Sequence, residues 1–392
     1  MNECKVYLNK GEDERIRRGH VWVYSNEVNR ITGPIESGNL SDVYTFSGDY
    51  LGQGFLNTAS KIFVRILSRN PDDVIDNVFF RKRLEAAKTH REDAGLTDTY
   101  RACFGEADGI PGLIVDKYSD YLSVQFLTLG TDKRKADFVQ LLNDIYNPKG
   151  IYERSDVKAR EKEGLEQIKN LLLGVVPDRV MIKEGNIKLY VDIKNGQKTG
   201  TYLDQRNNHL SIIPFVKDKS VLDCFSHDGN FALQAKLAGA CRATAVDISQ
   251  DACQRISENA KLNNLDIDIV KSDVFEYLRM ANRQKAKYDV IILDPPAFAK
   301  KKSDVEQASK GYKEINMQAM DLLNDGGYLV TSSCSHYLEL NHFLDILAEA
   351  AADRKKNVQM VKLSLQNSDH PVLLGSDETM YLKFLILRIL SY

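Results

Sequence analysis

The fold turns on "VLDCFSHDGNF", residues 221–231. The apolar run at its start suits a strand buried on both faces, and helical spacing follows over about residues 229–239. Strands and helices alternate onward from here. ATAVDIS precedes a helix at about 250–263, and IDIVKSD a short one near 274–281. YDVIILD precedes one at about 306–324, and GYLVTSS one at about 339–352. VQMVKLSL and MYLKFLILRIL close the chain. This order predicts an α/β fold: a doubly wound, mostly parallel sheet with helices on both faces. The last two strands have no clear helix between them, which predicts an antiparallel end.

In such sheets ligands bind at the carboxyl ends of the strands, at the switch point. The first loop there has one glycine, Gly229, and two acids, Asp223 and Asp228. A dinucleotide site would need G-x-G-x-x-G, so that the backbone can turn tightly against a pyrophosphate. An acidic loop suits instead a cofactor with a cationic amino-acid end and no phosphate. Asp247 ends the second strand, where a carboxylate can accept both ribose hydroxyls. Asp273 ends the third, where one can accept an adenine amino group. Each acid alone reads equally well as a helix N-cap. Acids at three successive strand ends describe S-adenosylmethionine.

The fourth strand ends "ILDPPAFAK", residues 292–300, and the two prolines stiffen the loop around Asp294. A rigid polar ledge there can align the hydrogen-bonding edge of a nucleobase. The fifth strand ends "TSSCSHY", residues 331–337, so Cys334 is expected beside Asp294. By residue statistics alone Cys334 is a small buried hydrophobe. Its position beside a methyl donor and a base ledge favours a nucleophile. Pyrimidine C5 is a poor nucleophile until a thiolate adds at C6, and covalent catalysis of that kind needs a cysteine. Asp294 would then serve as the acid near N3. His336 and Asp369 are candidates for the base that removes the C5 proton, although each also reads as surface or supporting structure.

The 392 residues suggest two or three domains. With 43% hydrophobic and 28% charged residues the chain is globular. Charges interrupt the N-terminus too early for a signal peptide, and the apolar C-terminal run is too short to span a bilayer. A cytoplasmic protein with no membrane partner is expected. The six cysteines form no Cys-x-x-Cys and there is no His-Glu-x-x-His, so neither a disulfide framework nor a metal site is expected. The net charge of −2 carries no overall nucleic-acid signal, but local basic clusters can still bind one. Such clusters lie at Arg15–His20, at Arg81–Arg91 and at Lys300–Lys302. Residues 1–70 read as short strands of a small β-barrel, and 74–185 as an α+β region opening with a basic helix at about 77–93. Residues 186–392 read as the doubly wound domain, entered by a hairpin that turns at Asn195-Gly196.

Several segments in order, "RRGHVWVYSNEV", "GQKTGTYLDQR", "LDCFSHDGNF", "VDIS", "SDVFEYL", "LDPPAFAKKK", "GYKEIN", "SCS" and "DHPVLL…MYLKFLILRI", resemble the RlmI-type ribosomal RNA large-subunit methyltransferases over almost the whole chain. The resemblance implies an N-terminal PUA domain, a central α+β domain and a C-terminal Rossmann-like, seven-stranded class I methyltransferase domain. It implies methylation at C5 of a cytosine in 23S rRNA, with Cys334 as the catalytic cysteine and Asp294 beside it. Asp223, Phe225, Gly229, Asp247, Asp273 and Gln205 are the residues expected to hold S-adenosylmethionine. Arg17, Arg18, His20, Lys300, Lys301 and Lys302 would contact RNA. Two departures stand out. The family's Tyr-Thr-Gly-Gly-Phe is His227-Asp228-Gly229-Asn230-Phe231 here, and the Lys that usually follows Asp-Pro-Pro is Ala297. A base-amine or guanine methyltransferase with a structural Cys334 is the nearest alternative, followed by a non-catalytic RNA-binding protein. Oligomeric state stays open, a homodimer included.

Overall fold

Two sets of contacts divide the chain, whose computed structural model describes residues 2–391. One unit holds the stretch up to Val180 together with Val191–Leu203 and Ser368–Thr379. The other holds Met181–Tyr190, Asp204–Asn367 and the stretch from Met380.

The second unit is built on a seven-stranded sheet. Its strands are β1 (Ser220–Cys224), β2 (Arg242–Asp247), β3 (Asp268–Lys271), β4 (Tyr288–Leu293), β5 (Leu323–Ser333), β6 (Lys356–Ser364) and β7 (Lys383–Ser391), in the order β3-β2-β1-β4-β5-β7-β6. β1 to β5 run parallel, and β7 lies antiparallel between β5 and β6. Two sets of helices cover the two faces, because alternate strand residues point to opposite sides. Leu222, Cys224, Ile291, Leu293, Leu329 and Leu385 pack with α3 (Val274–Arg283), α4 (Val305–Leu322) and α5 (Leu340–Asp353). Val221, Val290, Ile292, Val330 and Ile386 pack with α1 (Asn230–Leu237), whose Ala232 meets β2 and α2 (Gln250–Leu262). The apolar face of α3 shows why the chain is helical there. Val274, Tyr277, Leu278 and Ala281 are buried at i, i+3, i+4 and i+7.

The expected hairpin is displaced. Val180–Glu184 pairs with Ile187–Val191, one element earlier than Asn195-Gly196. Gly185, at φ +55°, makes the turn. Asn195-Gly196 instead closes a local turn on Asp192, whose carboxylate and carbonyl accept the two backbone N–H groups at 2.8 and 2.9 Å.

The first unit carries two sheets. The strands at 22–24, 62–68, 50–56, 40–44, 5–8 and 28–32 form one in that order. Those at 168–174, 150–155, 121–126, 113–118 and 99–104 form the other, with helices Asn77–Asp93 and Lys135–Tyr146 beside it. The strand at Val28–Thr32 escaped the sequence reading. Phe55 and Leu67 of the first sheet belong to the same apolar core as Phe80, Val124 and Phe138. Arg65 and Glu163 form a buried ion pair at 2.7 Å, and Ser60 and Asn57 donate to the same carboxylate. Among the described residues no helix is long and apolar enough to cross a membrane.

Candidate active site

Five strand tips build the site. At the tip of β1, Asp223 is 1% exposed. One carboxylate oxygen accepts the N–H of Ala232 in α1 at 3.1 Å, which ties the strand end to the helix start. The other oxygen is buried with no hydrogen-bond partner. Burial raises this carboxyl to about 7, and the nearby Ser226 hydroxyl, which donates to the Asp223 backbone carbonyl at 2.7 Å, and the Ala232 N–H only partly offset it. A lone buried acceptor of this kind fits the cationic amino end of S-adenosylmethionine. Phe225 and Gly229 follow with φ of +62° and +82°. A Cβ on Gly229 would come within 3.0 Å of Ile256, so the loop lies close against α2. Asp228, absent from the expected site set, is buried. Burial opposes its charge, but His227 at 3.0 Å and Arg255 at 2.6 Å outweigh that and hold it down at about 2.

Asp247 ends β2 and accepts the N–H groups of His227 at 3.0 Å and Ser249 at 2.8 Å. It thereby fixes the first loop and the start of α2 together. Asp273 follows β3 and caps α3 by accepting the N–H of Glu276 at 3.1 Å. This is the N-cap reading set beside the cofactor reading, and the lone pairs it leaves allow both.

Asp294 follows β4. The parallel register sets Leu293 against Thr331, so Asp294 and Ser332 are neighbours. Ser332 Oγ donates to Asp294 Oδ1, and so does Gln205 Nε2 at 2.8 Å. Burial raises the Asp294 carboxyl, partly offset by Ser332, His209 and Gln205. Asn208 in turn donates to Gln205 Oε1 at 2.7 Å. Below lies a buried pair that sequence reasoning missed: His209 Nδ1 and Glu184 at 2.8 Å, with Asn230 on the other Glu184 oxygen. Burial opposes the His209 charge, and Glu184 outweighs it. His209 and Glu184 lie 25 positions apart on separate elements, so no motif announces them.

Cys334, just beyond β5, is half-buried, unlike Cys224. Its Sγ lies 3.9 Å from the carbonyl oxygen of Pro295 in the Asp-Pro-Pro loop. The flanking serines are held by Tyr312 of α4: Ser333 donates to its hydroxyl at 3.0 Å, and Ser335 lies 3.0 Å from it. Lys383 of β7 is 5% exposed and donates to the Ser335 carbonyl at 2.7 Å.

Of the two candidate bases, His336 is exposed next to Cys334. Asp369 is fully buried in the other unit, where it holds the Arg101 N–H at 2.9 Å and pairs with His370. Lys300, Lys301 and Lys302 are exposed. Arg17 and Arg18 are exposed too, bonded to Asp13 at 2.6 Å and Glu14 at 2.5 Å. His20 is 5% exposed and accepts the Trp22 N–H at 3.0 Å, so its ring belongs to the local core rather than to a phosphate-facing surface.

The profile of PUA-like domains matches residues 6–69, and that of S-adenosylmethionine-dependent methyltransferases matches residues 168–388. The chain is 39% identical to the ribosomal RNA large subunit methyltransferase I of Enterobacter sp. (strain 638), over 98% of this chain and 99% of that one. The same holds for the enzyme of that name from Escherichia coli O139:H28. Among solved structures, a protein assigned as a SAM-dependent methyltransferase from Streptococcus mutans superimposes with a TM-score of 0.84. It is 23% identical, with 98% of this chain and 99% of that one covered. A protein assigned as a methyltransferase, solved in complex with SAH, superimposes at 0.85, with 24% identity and the same coverage. These two likenesses support the fold. Cofactor dependence follows from the matched methyltransferase domain, and the chain belongs to the family of the S-adenosylmethionine-dependent ribosomal RNA large subunit methyltransferases I.

Proposed function

We propose that this enzyme methylates C5 of a cytosine in 23S rRNA through a covalent adduct between Cys334 and C6. The observation that carries the reading is the half-buried Cys334 sulfur 3.9 Å from the Asp-Pro-Pro loop, one strand over from Asp294. A thiol serving only as core would be closed off like Cys224.

Asp223, Phe225, Gly229, Asp247, Asp273 and Gln205 are the proposed cofactor residues, and S-adenosylmethionine supplies an electrophilic methyl group to the substrate. The chain's own residues do the rest. Cys334 adds through sulfur to C6, so C5 gains enamine character. Asp294, whose carboxyl burial raises, is the proposed acid that hydrogen-bonds at N3 as negative charge develops. After methyl transfer, loss of the C5 proton and cleavage of the S–C6 bond return the free thiolate. His336, exposed beside Cys334, is the candidate base.

The proposed RNA contacts are Arg17 and Arg18 on the PUA-like part and Lys300–Lys302 beside the base site. Such contacts set position rather than sequence. A division at residues 1–70, 74–185 and 186–392, and action in the cytoplasm, belong to the same proposal.

RNA carrying 5-fluorocytosine at the target tests the mechanism, because fluorine cannot leave as the C5 proton does. A methylation-dependent protein–RNA band on a denaturing gel is expected with the wild type and none with Cys334→Ala. Unchanged cytosine methylation by Cys334→Ala would sink the adduct.

A further inference from the structure

Lys383 is a charged side chain in the middle of an apolar run, MYLKFLILRIL, and the structure buries it to 5% exposure. Its Nζ donates to two neutral carbonyls, Ser335 at 2.7 Å and Tyr381 at 2.9 Å. An ammonium has three donors, so these account for two of them. Among the described residues no carboxylate pairs with it. A buried ammonium without a counter-charge is costly, and pairing or neutralisation is the ordinary resolution.

The neighbouring group that can become an anion is the Cys334 thiol. The antiparallel register sets Lys383 opposite Ser333, one residue before Cys334, and the Nζ bond to Ser335 O spans the residue after it. The lysine therefore brackets the cysteine from β7. Resting on the reading of Cys334 as the nucleophile, we propose that Lys383 is the positioning residue that holds Cys334 as a thiolate by supplying the counter-charge.

The step balances without any other reagent. The sulfur's proton leaves to water, the S–H electron pair stays on sulfur, and the cationic Lys383 faces the anion until sulfur adds to C6. When the adduct collapses the same pair re-forms. The remaining titratable groups around the sulfur do not supply this charge. Tyr312 of α4 is raised by burial, and the Cys334 charge adds to that, so it stays neutral. Asp294 after β4 is acidic and shared between Ser332 and Gln205. His336 is exposed in Cys334's own loop. Burial lowers Lys383 to about 8, while the Cys334 charge acts to raise it, as a coupled pair requires.

The test reads the thiolate without RNA. Cys334 is alkylated with iodoacetamide from about pH 5 to about pH 10, a window that brackets the ordinary thiol value near 8.5. The labelled peptide is quantified by mass spectrometry, because Cys241 is exposed as well. Wild-type Cys334 should reach half its maximal rate below about 8.5. Lys383→Met should move that midpoint up by about one unit, close to tenfold slower near neutral pH. Lys383→Arg, which keeps the charge, should restore most of it. SAH binding and a melting curve check that each variant is folded.

Should Lys383→Met not fold, the wild-type profile decides alone: a midpoint at or above about 8.5 overturns the proposal. An unshifted midpoint in a folded Lys383→Met overturns it equally. The 5-fluorocytosine trap is independent. A low midpoint without an RNA adduct leaves the Lys383–Cys334 pair standing and removes the cytosine mechanism. An adduct formed by a thiol of ordinary midpoint does the reverse.

Discussion

The carboxylate of Asp247 accepts backbone N–H groups from His227 and Ser249, so it shapes the first loop before any ligand arrives. Its remaining lone pairs are the ones proposed for ribose. Asp247→Ala should weaken S-adenosylmethionine binding by roughly 1.5–3 kcal/mol, the range for hydrogen bonds to a charged group. Calorimetry on a variant with an unchanged melting curve checks it, and full affinity would remove Asp247 from the cofactor set. Asp223 poses a different question, because its folded carboxyl stands at about 7, against about 3.9 for a free aspartate. The folded state therefore binds more protons than the unfolded state between those values. Stability from this group falls as pH rises from about 4 to about 7, with a ceiling on the order of 4 kcal/mol at 1.36 per unit. Asp223→Asn lacks that slope. In cofactor-free protein its melting temperature should gain on the wild type across this window, while its cofactor binding falls. Parallel melting curves would show that Asp223 is not strained by burial.

At the scale of elements, the turn from β1 into α1 decides how closely the first loop approaches α2. Gly229 sits at φ +82° with Ile256 where a Cβ would need room, so two separate penalties attach to any side chain there. Gly229→Ala should destabilise by about 1–3 kcal/mol and also weaken cofactor binding. Urea unfolding followed by calorimetry separates the two effects. A stability unchanged within error would mean the loop relaxes freely and does not set the site. The other elements at the site were legible because each announces itself locally. Ser249 and Asp273 cap α2 and α3 through their own side chains, and the apolar stripes of α3 and α5 follow helical spacing. The displaced hairpin shows the limit. Glu-Gly-Asn and Asn-Gly are both competent turns, and only the pairing partner decides between them.

At the scale of the whole molecule, the PUA-like sheet and the central α+β region share the core that holds Phe55, Leu67, Phe80 and Phe138. Deleting residues 1–70 would strip two of those side chains and leave Glu163 without Arg65. Loss of one partner of a buried pair costs about 3–5 kcal/mol. The truncated chain should therefore lose protease resistance in the remaining part of this unit. Truncation is accordingly a poor test of RNA binding, and charge reversal is a sound one. Arg17→Glu with Arg18→Glu touches exposed side chains only and should lower rRNA affinity while leaving the fold intact. Its salt slope should be shallower by about 1.5, from two lost phosphate contacts. An unchanged slope in filter binding would move the RNA surface elsewhere.

By itself the sequence determined the alternation of buried strands and amphipathic helices, the antiparallel end, and the acids and cysteine at the strand tips. These are local patterns, since period, caps and loop chemistry are written within a few residues of each other. Tertiary structure alone decided which distant side chains and carbonyls meet. The His209–Glu184 pair, the Asp228–Arg255 pair and the Lys383 bond to the Ser335 carbonyl each join residues far apart in the chain. It also decided that His20 is core and that Phe55 serves a neighbouring sheet. Electrostatic energy in a buried site depends on distance and desolvation, and neither quantity exists until separate elements have packed.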